Sequence, residues 1–245
     1  MKIYFLGTNG WFTSATGNTP CILIDCKEGY IIFDAGSGIY KIKDYIKEDK
    51  PISLFISHFH LDHVSGIHSK AFDPIFPRLI DIYMAKGRKK DFETLANAPF
   101  TNPKKTITLH ELEEGKHEIG FPVEVFKMRH TNIGHGYRVT LENKIIVYSG
   151  DTGVCPNSKP LAQDADLLIH ECSFIKAPEP ETWGHVDPII AANIAKDANA
   201  KKLILTHFDA GLYTDLDKRK WAEEEAMKIF PNTTAAEDGL TIELP

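Results

Sequence analysis

The strongest constraint on how this chain can fold is where its metal-competent side chains fall. Short apolar runs bounded by Gly, Pro, Asn or Asp read as buried strands. At the C-terminal ends of these runs stand histidines and carboxylates. Ser53–Ser57 leads into His58, Val123–Arg129 into His130, Lys144–Tyr148 toward Asp151, Asp166–His170 into Glu171 and Lys202–Leu205 toward His207. In a layered α/β protein such strand ends converge on one rim, where loops carry chemistry on a rigid scaffold.

The rest of the chain fits the same plan. Ile3–Leu6, Cys21–Asp25, Tyr30–Phe33, Ile80–Met84, Lys105–Leu109 and Leu240–Leu244 read as further strands, and Tyr137–Leu141 with Lys144–Tyr148 as a hairpin turning at Glu142-Asn143. Ile39, Ile42 and Ile46 recur at helical spacing, which predicts a helix over Ile39–Lys50 that Pro51 ends. Arg88–Ala96, Pro188–Asp197 and Lys218–Phe230 are the other predicted helices. No low-complexity linker interrupts the order, and residues 1–125 and 126–245 repeat one rhythm. The expectation is a single α/β domain of two pseudo-symmetric halves, with two stacked mixed sheets flanked by helices in a four-layer αββα sandwich.

Composition removes several classes of function. A hydrophobic fraction of 42% and a charged fraction of 25% suit a chain that buries a real core. A net charge of −6 argues against a surface that coats nucleic acid. Cys21, Cys26, Cys155 and Cys172 form no C-x-x-C pair, so a cysteine zinc knuckle is not expected, and free thiols fit a reducing cytoplasm. No apolar run approaches the roughly 18 residues of a membrane span. The N-terminal residues lack the pattern of a signal peptide.

The chemistry concentrates in Ser57-His58-Phe59-His60-Leu61-Asp62-His63. Three histidines and an aspartate within six residues gather nitrogen and oxygen donors of borderline hardness, which suit zinc and also iron or manganese. One such cluster cannot close two metal sites, so other strand ends must contribute. His130, Asp151, Glu171 and His207 are the candidates. Asp151 lies between Gly150 and Gly153, which permit a tight turn, and its two oxygens can bridge two cations. Arg138 and Lys127 either meet a phosphate or are solvated. His68, His110, His117 and His135 read as surface or loop residues, and Arg88-Lys89-Lys90 as a solvated face. In the first loop, Trp11 and Phe12 either stack on a base or anchor the loop.

With these residues in view, the chain resembles metallo-β-lactamase-fold hydrolases, and within them the ribonuclease Z-like branch. The resemblance runs nearly end to end. It starts at Phe5-Leu6-Gly7-Thr8 and continues through Phe33-Asp34-Ala35-Gly36, the histidine-rich motif, His130 and Gly136-Tyr137-Arg138. It closes with Ser149-Gly150-Asp151-Thr152, His170-Glu171, Gly184-His185 and Leu205-Thr206-His207. It implies one metal on His58, His60 and His130, a second on Asp62, His63 and His207, and Asp151 bridging both. It also implies that Asp34 hydrogen-bonds the metal histidines. Two divalent ions, zinc foremost with manganese or iron as alternatives, about 3.5–4 Å apart would make hydroxide available at neutral pH. Asp62 would orient the water and take its proton, while His185, oriented by Glu171, would stabilise the transition state or protonate the leaving oxygen.

The resemblance leaves the substrate open. Members that process the 3′ end of transfer RNA carry a long inserted arm, and only twenty-one positions separate His130 from Asp151. The first loop, Asn9–Asn18, also departs from the Pro-Thr and basic residue of that pattern. The expectation is therefore a phosphodiesterase acting on a small or cyclic nucleotide-type phosphodiester. A transfer RNA 3′-processing endoribonuclease and a hydrolase of lactones, thioesters or sulfate esters are the alternatives. The cysteines and the lack of a signal peptide or long apolar run lead to the expectation of a cytoplasmic protein with no membrane partner, and the resemblance adds a homodimer as the assembly.

Overall fold

The structure, a computed structural model, describes residues 1–68, 79–101, 107–130, 133–179 and 182–245. The N-terminal part supplies β1 (Lys2–Gly7), β2 (Asn9–Gly10), β3 (Cys21–Asp25), β4 (Tyr30–Phe33) and β5 (Ile52–Phe55). There follow a single turn of helix, α1 (Leu61–Val64), then β6 (Ile80–Ala85), α2 (Lys89–Leu95), β7 (Ile107–Leu112), β8 (Gly115–Glu118) and β9 (Pro122–Arg129). The C-terminal part continues with β10 (Ile133–Leu141), β11 (Lys144–Tyr148), α3 (Ser158–Ala162), β12 (Leu167–Glu171), α4 (Pro188–Asp197) and β13 (Leu203–Thr206). It ends with β14 (Phe208–Asp209), α5 (Leu216–Met227), β15 (Thr233–Ala235) and β16 (Thr241–Glu243).

Two seven-stranded sheets form, ordered β16-β1-β3-β4-β5-β6-β7 and β15-β13-β12-β11-β10-β9-β8. Both are mixed: β4 through β7 run parallel in the first, and β11, β12, β13 and β15 in the second. Strands buried on both faces alternate between two cores, which is why they read as continuous apolar runs rather than as polar-apolar alternation. In β3, Ile22 and Ile24 face the core between the sheets while Cys21 and Leu23 face an outer one. In β12 and β13, Leu167, Ile169 and Ile204 point inward while Leu168, Leu203 and Leu205 meet the helices.

Three apolar cores separate four layers. The central one joins the sheets through aromatic contacts such as Phe33–Tyr148 and Phe55–Tyr137, each with ring centroids 5.1 Å apart. Tyr137 also donates a 2.6 Å hydrogen bond across the interface to the Ile56 carbonyl. The second core lies under α2 and a 3₁₀ segment at Ser37–Asp44, and the third under α3, α4 and α5. The four-layer αββα sandwich expected from the sequence is the observed architecture.

Two local expectations need correction. The helix placed at Ile39–Lys50 is instead the 3₁₀ segment, and the chain leaves it after Asp44. Ile39 and Ile42 are both buried, and a spacing of three eclipses side chains on one edge of a 3₁₀ turn. Helix α5 ends at Met227 rather than Phe230 and begins before Lys218, because the Asp215 side chain caps it by accepting from the Lys218 N–H at 3.0 Å. Of the strand expected at Lys105–Leu109, residues 105 and 106 lie outside the described residues. Among the described residues no helix is long and apolar enough to cross a membrane, and all four cysteines are free.

One buried cation fixes the first loop to the C-terminal region. Arg219, 2% exposed, donates to Thr8 Oγ1 at 2.7 Å, to the Ala236 carbonyl at 2.9 Å and to Asn9 Oδ1, and its guanidinium lies 4.7 Å from the centroid of Phe208. Burial brings its pKa down to about 10. Arg219→Met keeps the packing but strands those buried acceptors, and is expected to cost about 2–4 kcal/mol. A thermal melt in the presence of a chelator reads that loss directly.

Candidate metal centre

Six strand ends meet at one rim between the sheets. β4 delivers Asp34, β5 delivers Ser57 and His58, β9 delivers His130, β11 delivers Asp151, β12 ends on Glu171 and β13 delivers His207. Asp34 and His207 adopt left-handed backbone, with φ of 59° and 55°. Gly150 turns the chain between Tyr148 and Asp151 at φ 56°, where a Cβ would lie 2.7 Å from the His135 carbonyl oxygen and 2.9 Å from Ser57 Cβ. Only glycine meets both demands at that position.

The donors fall into overlapping groups. His58, His60, His130 and Asp151 can converge on one ion, and Asp62, His63 and His207 on another. Asp151 lies at the junction. Its Oδ2 is 3.6 Å from His58 Nε2, 3.3 Å from His63 Nε2 and 3.7 Å from His130 Nε2, while its Oδ1 is 3.2 Å from His207 Nε2. Asp62 Oδ2 lies 3.3 Å from His207 Nε2 and accepts the Trp11 N–H at 2.8 Å. A third grouping brings His185 beside Asp151 and His207.

Hydrogen bonds behind the rings decide which nitrogens face the centre. His63 Nδ1 donates to Asp34 Oδ2 at 2.7 Å, and His130 Nδ1 donates to the Gly184 carbonyl at 3.0 Å. Ser173 gives its hydroxyl proton to the His207 carbonyl, so its oxygen accepts from His207 Nδ1 at 2.8 Å. Ser57 gives its proton to Asp34, leaving its oxygen to accept from His58 Nδ1 at 3.1 Å. In neutral imidazoles each of these assignments leaves a bare Nε2. Two such lone pairs, on His63 and His207, then face each other 3.0 Å apart. His58 Nε2 and Asp151 Oδ1 are buried without a hydrogen-bond partner. Buried acceptors converging with no proton between them fit divalent cations.

The carboxylates around the cluster favour positive charge at its centre. Burial alone would lower His63, but the charges of Asp151, Asp62 and Asp34 push it well above the ordinary histidine range. Burial, aided by His63, drives His58 well below it. Asp151 is held well below the carboxylate range: burial opposes ionisation, and His207, His63 and His58 override it.

His185 stands beside this centre on its own support. Its Nδ1 is 2.8 Å from Glu171 Oε1, and its ring stacks on His207 with centroids 5.7 Å apart and 16° between planes. Glu171 is itself fixed, accepting from the Thr152 N–H at 3.1 Å and the Ser173 N–H at 2.9 Å. Burial would lower the His185 pKa, yet the Glu171 charge and hydrogen bond raise it to about 9. A cleft of about 400 Å³ opens over the centre, lined by Trp11, His60, Leu61, Asp62, His130, Asp151, Trp183, His185 and His207.

Every residue that the resemblance placed in the site gathers here. Arg138 does not: its guanidinium caps α3 by donating to the Leu161 carbonyl at 3.2 Å, and the exposed Lys127 does not line the cleft. His135, read from sequence as a surface or loop residue, is instead buried in β10, its N–H bonded to the Ser57 carbonyl at 3.1 Å. Sequence reading missed Tyr148, whose hydroxyl donates to Asp34 at 2.7 Å, along with Ser173 and Trp183. Ser173 follows His170-Glu171 closely, and Trp183 directly precedes Gly184-His185, so both carried a positional signal.

A family model for the β-lactamase superfamily domain matches residues 22–208. The chain belongs to this superfamily. Ribonuclease Z of Bacillus subtilis is 28% identical to it, over 100% of this chain and 99% of that protein. A probable metallo-hydrolase of the same organism, YhfI, is 27% identical over 94% of each. The crystal structure of YhfI, a metallo-β-lactamase fold protein, superimposes with a TM-score of 0.84 at 24% identity over 99% of both chains. The short form of human tRNase Z does so at 0.79 and 26% identity over the whole of both. The metallo-β-lactamase fold and the ribonuclease Z-like kinship that the motifs implied are thus borne out. One difference stands out within the superfamily. The ribonuclease Z alignment spans 311 positions against 245 residues here, so at least 66 positions (311 less 245) of it face gaps in this chain, whereas the YhfI alignment spans 241.

Proposed function

We propose that this protein is a dinuclear metal-dependent phosphodiesterase that cleaves a small or cyclic nucleotide-type phosphodiester. The observation that carries the reading is a pair of donor groups with Asp151 between them, its Oδ2 3.6 Å from His58 Nε2 and its Oδ1 3.2 Å from His207 Nε2, beneath a cleft that also holds the Glu171-backed His185. His58, His60 and His130 would hold one ion, Asp62, His63 and His207 the other, and Asp151 both. Two divalent cations there, zinc by the nitrogen-rich donor set or manganese or iron by the same donors, would acidify a water and polarise a phosphoryl oxygen.

The remaining work falls to the chain's own groups. Asp62, pinned by the Trp11 N–H, orients the attacking water and accepts its proton. His185 keeps Nδ1 on Glu171, so Nε2 is the atom that gives a proton to the departing oxygen. Glu171 neutralises the imidazolium and sets its direction.

The small substrate is favoured over transfer RNA by the chain's economy between His130 and Asp151. β10 and β11 are joined by the two residues Glu142 and Asn143, whose φ angles of 48° and 62° make a tight hairpin turn with no room for an arm. Ribonuclease Z and tRNase Z, the relatives named for RNA processing, are reached only across many gapped positions in the first case. Among the described residues no lysine or arginine lines the cleft, so nothing there tracks a polyanion.

The test pairs metal analysis with turnover of bis(p-nitrophenyl) phosphate and a cyclic nucleotide. Wild type is expected to hold two metals per chain and to cleave diesters. His185→Ala should keep the metals and lose about a hundredfold or more in kcat, and Asp62→Ala should lose at least as much. Metals without diester cleavage would overturn the reading and direct the search to lactones, thioesters, sulfate esters and precursor transfer RNA.

A further inference from the structure

Two tryptophans stand on the walls of the cleft, and the centre's chemistry uses neither indole. Trp11 and Trp183 are each 57% exposed, an unusual position for the largest apolar side chain, and each lines the cleft over the candidate metals. Leu61, 69% exposed, adds a third apolar surface to the same cleft.

Neither wall is a free loop tip. Trp11 sits at φ 71°, and its N–H is committed to Asp62 at 2.8 Å. The strand before it, β2, pairs with β14 directly after His207, and a Cβ on Gly10 would lie 2.6 Å from the His207 ring. Trp183 precedes Gly184, which is pressed against the other metal-side residue: a Cβ there would fall 2.7 Å from His130 Cα, and its carbonyl accepts from His130 Nδ1. The backbone at each tryptophan is thus anchored to a different candidate metal group, Trp11 to Asp62 and Trp183, through Gly184, to His130. Aromatic faces exposed to solvent on an anchored backbone suit a flat ring that stacks on them. The remaining lining residues are histidines, aspartates and Leu61, with no lysine or arginine among them.

We infer that Trp11 and Trp183 are specificity-determining residues that hold a flat aromatic ring, a nucleobase or an aryl group, of a substrate carrying a single negative charge. This rests on the phosphodiesterase reading and narrows it to monoanionic diesters with an aromatic substituent. The ring lies against the indoles while the phosphoryl group lies over Asp151 and His185. A second phosphate lying away from the metals and His185 would meet no lysine or arginine lining the cleft.

Binding tests this apart from turnover. The metal-loaded protein is titrated with O-methyl phenylphosphonate and O-methyl methylphosphonate, monoanions that differ only in the ring, while indole emission is followed. The phenyl probe is expected to bind about tenfold more tightly and to quench emission, the order of effect that one stacked ring produces. Trp221 on α5, away from the cleft, supplies an unquenched reference. Trp11→Leu and Trp183→Leu should each lower the preference with metal content unchanged, and Trp11→Phe and Trp183→Phe should retain most of it. Equal affinity for the two probes, or a preference that survives both leucine variants, overturns the inference and leaves diester hydrolysis standing. An intact phenyl preference with no diester turnover supports the aromatic site and overturns the phosphodiesterase reading alone.

Discussion

Replacing Asp151 by alanine is expected to empty both metal positions and to lower diesterase kcat/KM by about a thousandfold or more, about 4 kcal/mol of transition-state stabilisation. The expectation follows from where this carboxylate sits rather than from its being acidic. It is buried, one oxygen lies within 3.7 Å of His58, His63 and His130, and the other lies 3.2 Å from His207. His58, His60 and His130 fall in one donor group alone, and Asp62 and His63 in another. His60→Ala therefore serves as the contrast: it should weaken the His58, His60 and His130 group and keep about one metal on Asp62, His63 and His207. Elemental analysis of both variants after the same dialysis, beside steady-state kinetics, separates the cases. Two metals retained in Asp151→Ala would show that the two groups do not share it.

The sequence exposed the fold wherever burial on both faces leaves an uninterrupted apolar run. Cys21–Asp25, Tyr30–Phe33 and Lys144–Tyr148 are observed with the bounds expected of them, and so is the helix Pro188–Asp197, read from its apolar face. The site was legible for a related reason, because the polar residue that ends an apolar run stands out against it. Where the pattern is short or polar the signal vanishes. β8 reads Gly-Lys-His-Glu and lies at the edge of its sheet, held by pairing with β9 rather than by apolar periodicity. Three isoleucines at helical spacing were compatible with an α-helix, and only packing of Ile39 and Ile42 under the first sheet selects the tighter turn. Tyr148 is indistinguishable in sequence from a core aromatic. Its hydroxyl acquires a role because β4 and β11, in different sheets, bring it to Asp34, a contact between residues 114 positions apart.

That contact leads to the second large effect. Asp34 is fully buried, and its Oδ2 accepts three hydrogen bonds: from Ser57 Oγ at 2.8 Å, His63 Nδ1 at 2.7 Å and Tyr148 at 2.7 Å. Its Oδ1 accepts the Ser57 N–H at 2.7 Å. Asparagine tolerates the left-handed backbone at this position, so Asp34→Asn isolates the charge and the acceptors from backbone strain. Its amide oxygen can replace only one carboxylate oxygen. With that oxygen turned to the three donors, the NH₂ points at the Ser57 N–H, donor against donor. The variant is expected to lose about 2–3 kcal/mol, since hydrogen bonds to a charged group are the stronger kind. For a domain of this size that lowers Tm by about 4–12 °C. His63 also loses the anion that fixes its Nδ1 proton and aims its Nε2, which should weaken metal binding about ten- to a hundredfold. Melts with chelator and with excess zinc distinguish the two effects, because a ligand bound to the folded state raises Tm according to its affinity. The packing loss persists in chelator, and the metal loss appears as a smaller rise on adding zinc at a fixed concentration. A lowered Tm with an unchanged zinc-induced rise would assign Asp34 to the joint between the two sheets alone, and His63 would then owe its orientation to its place in α1.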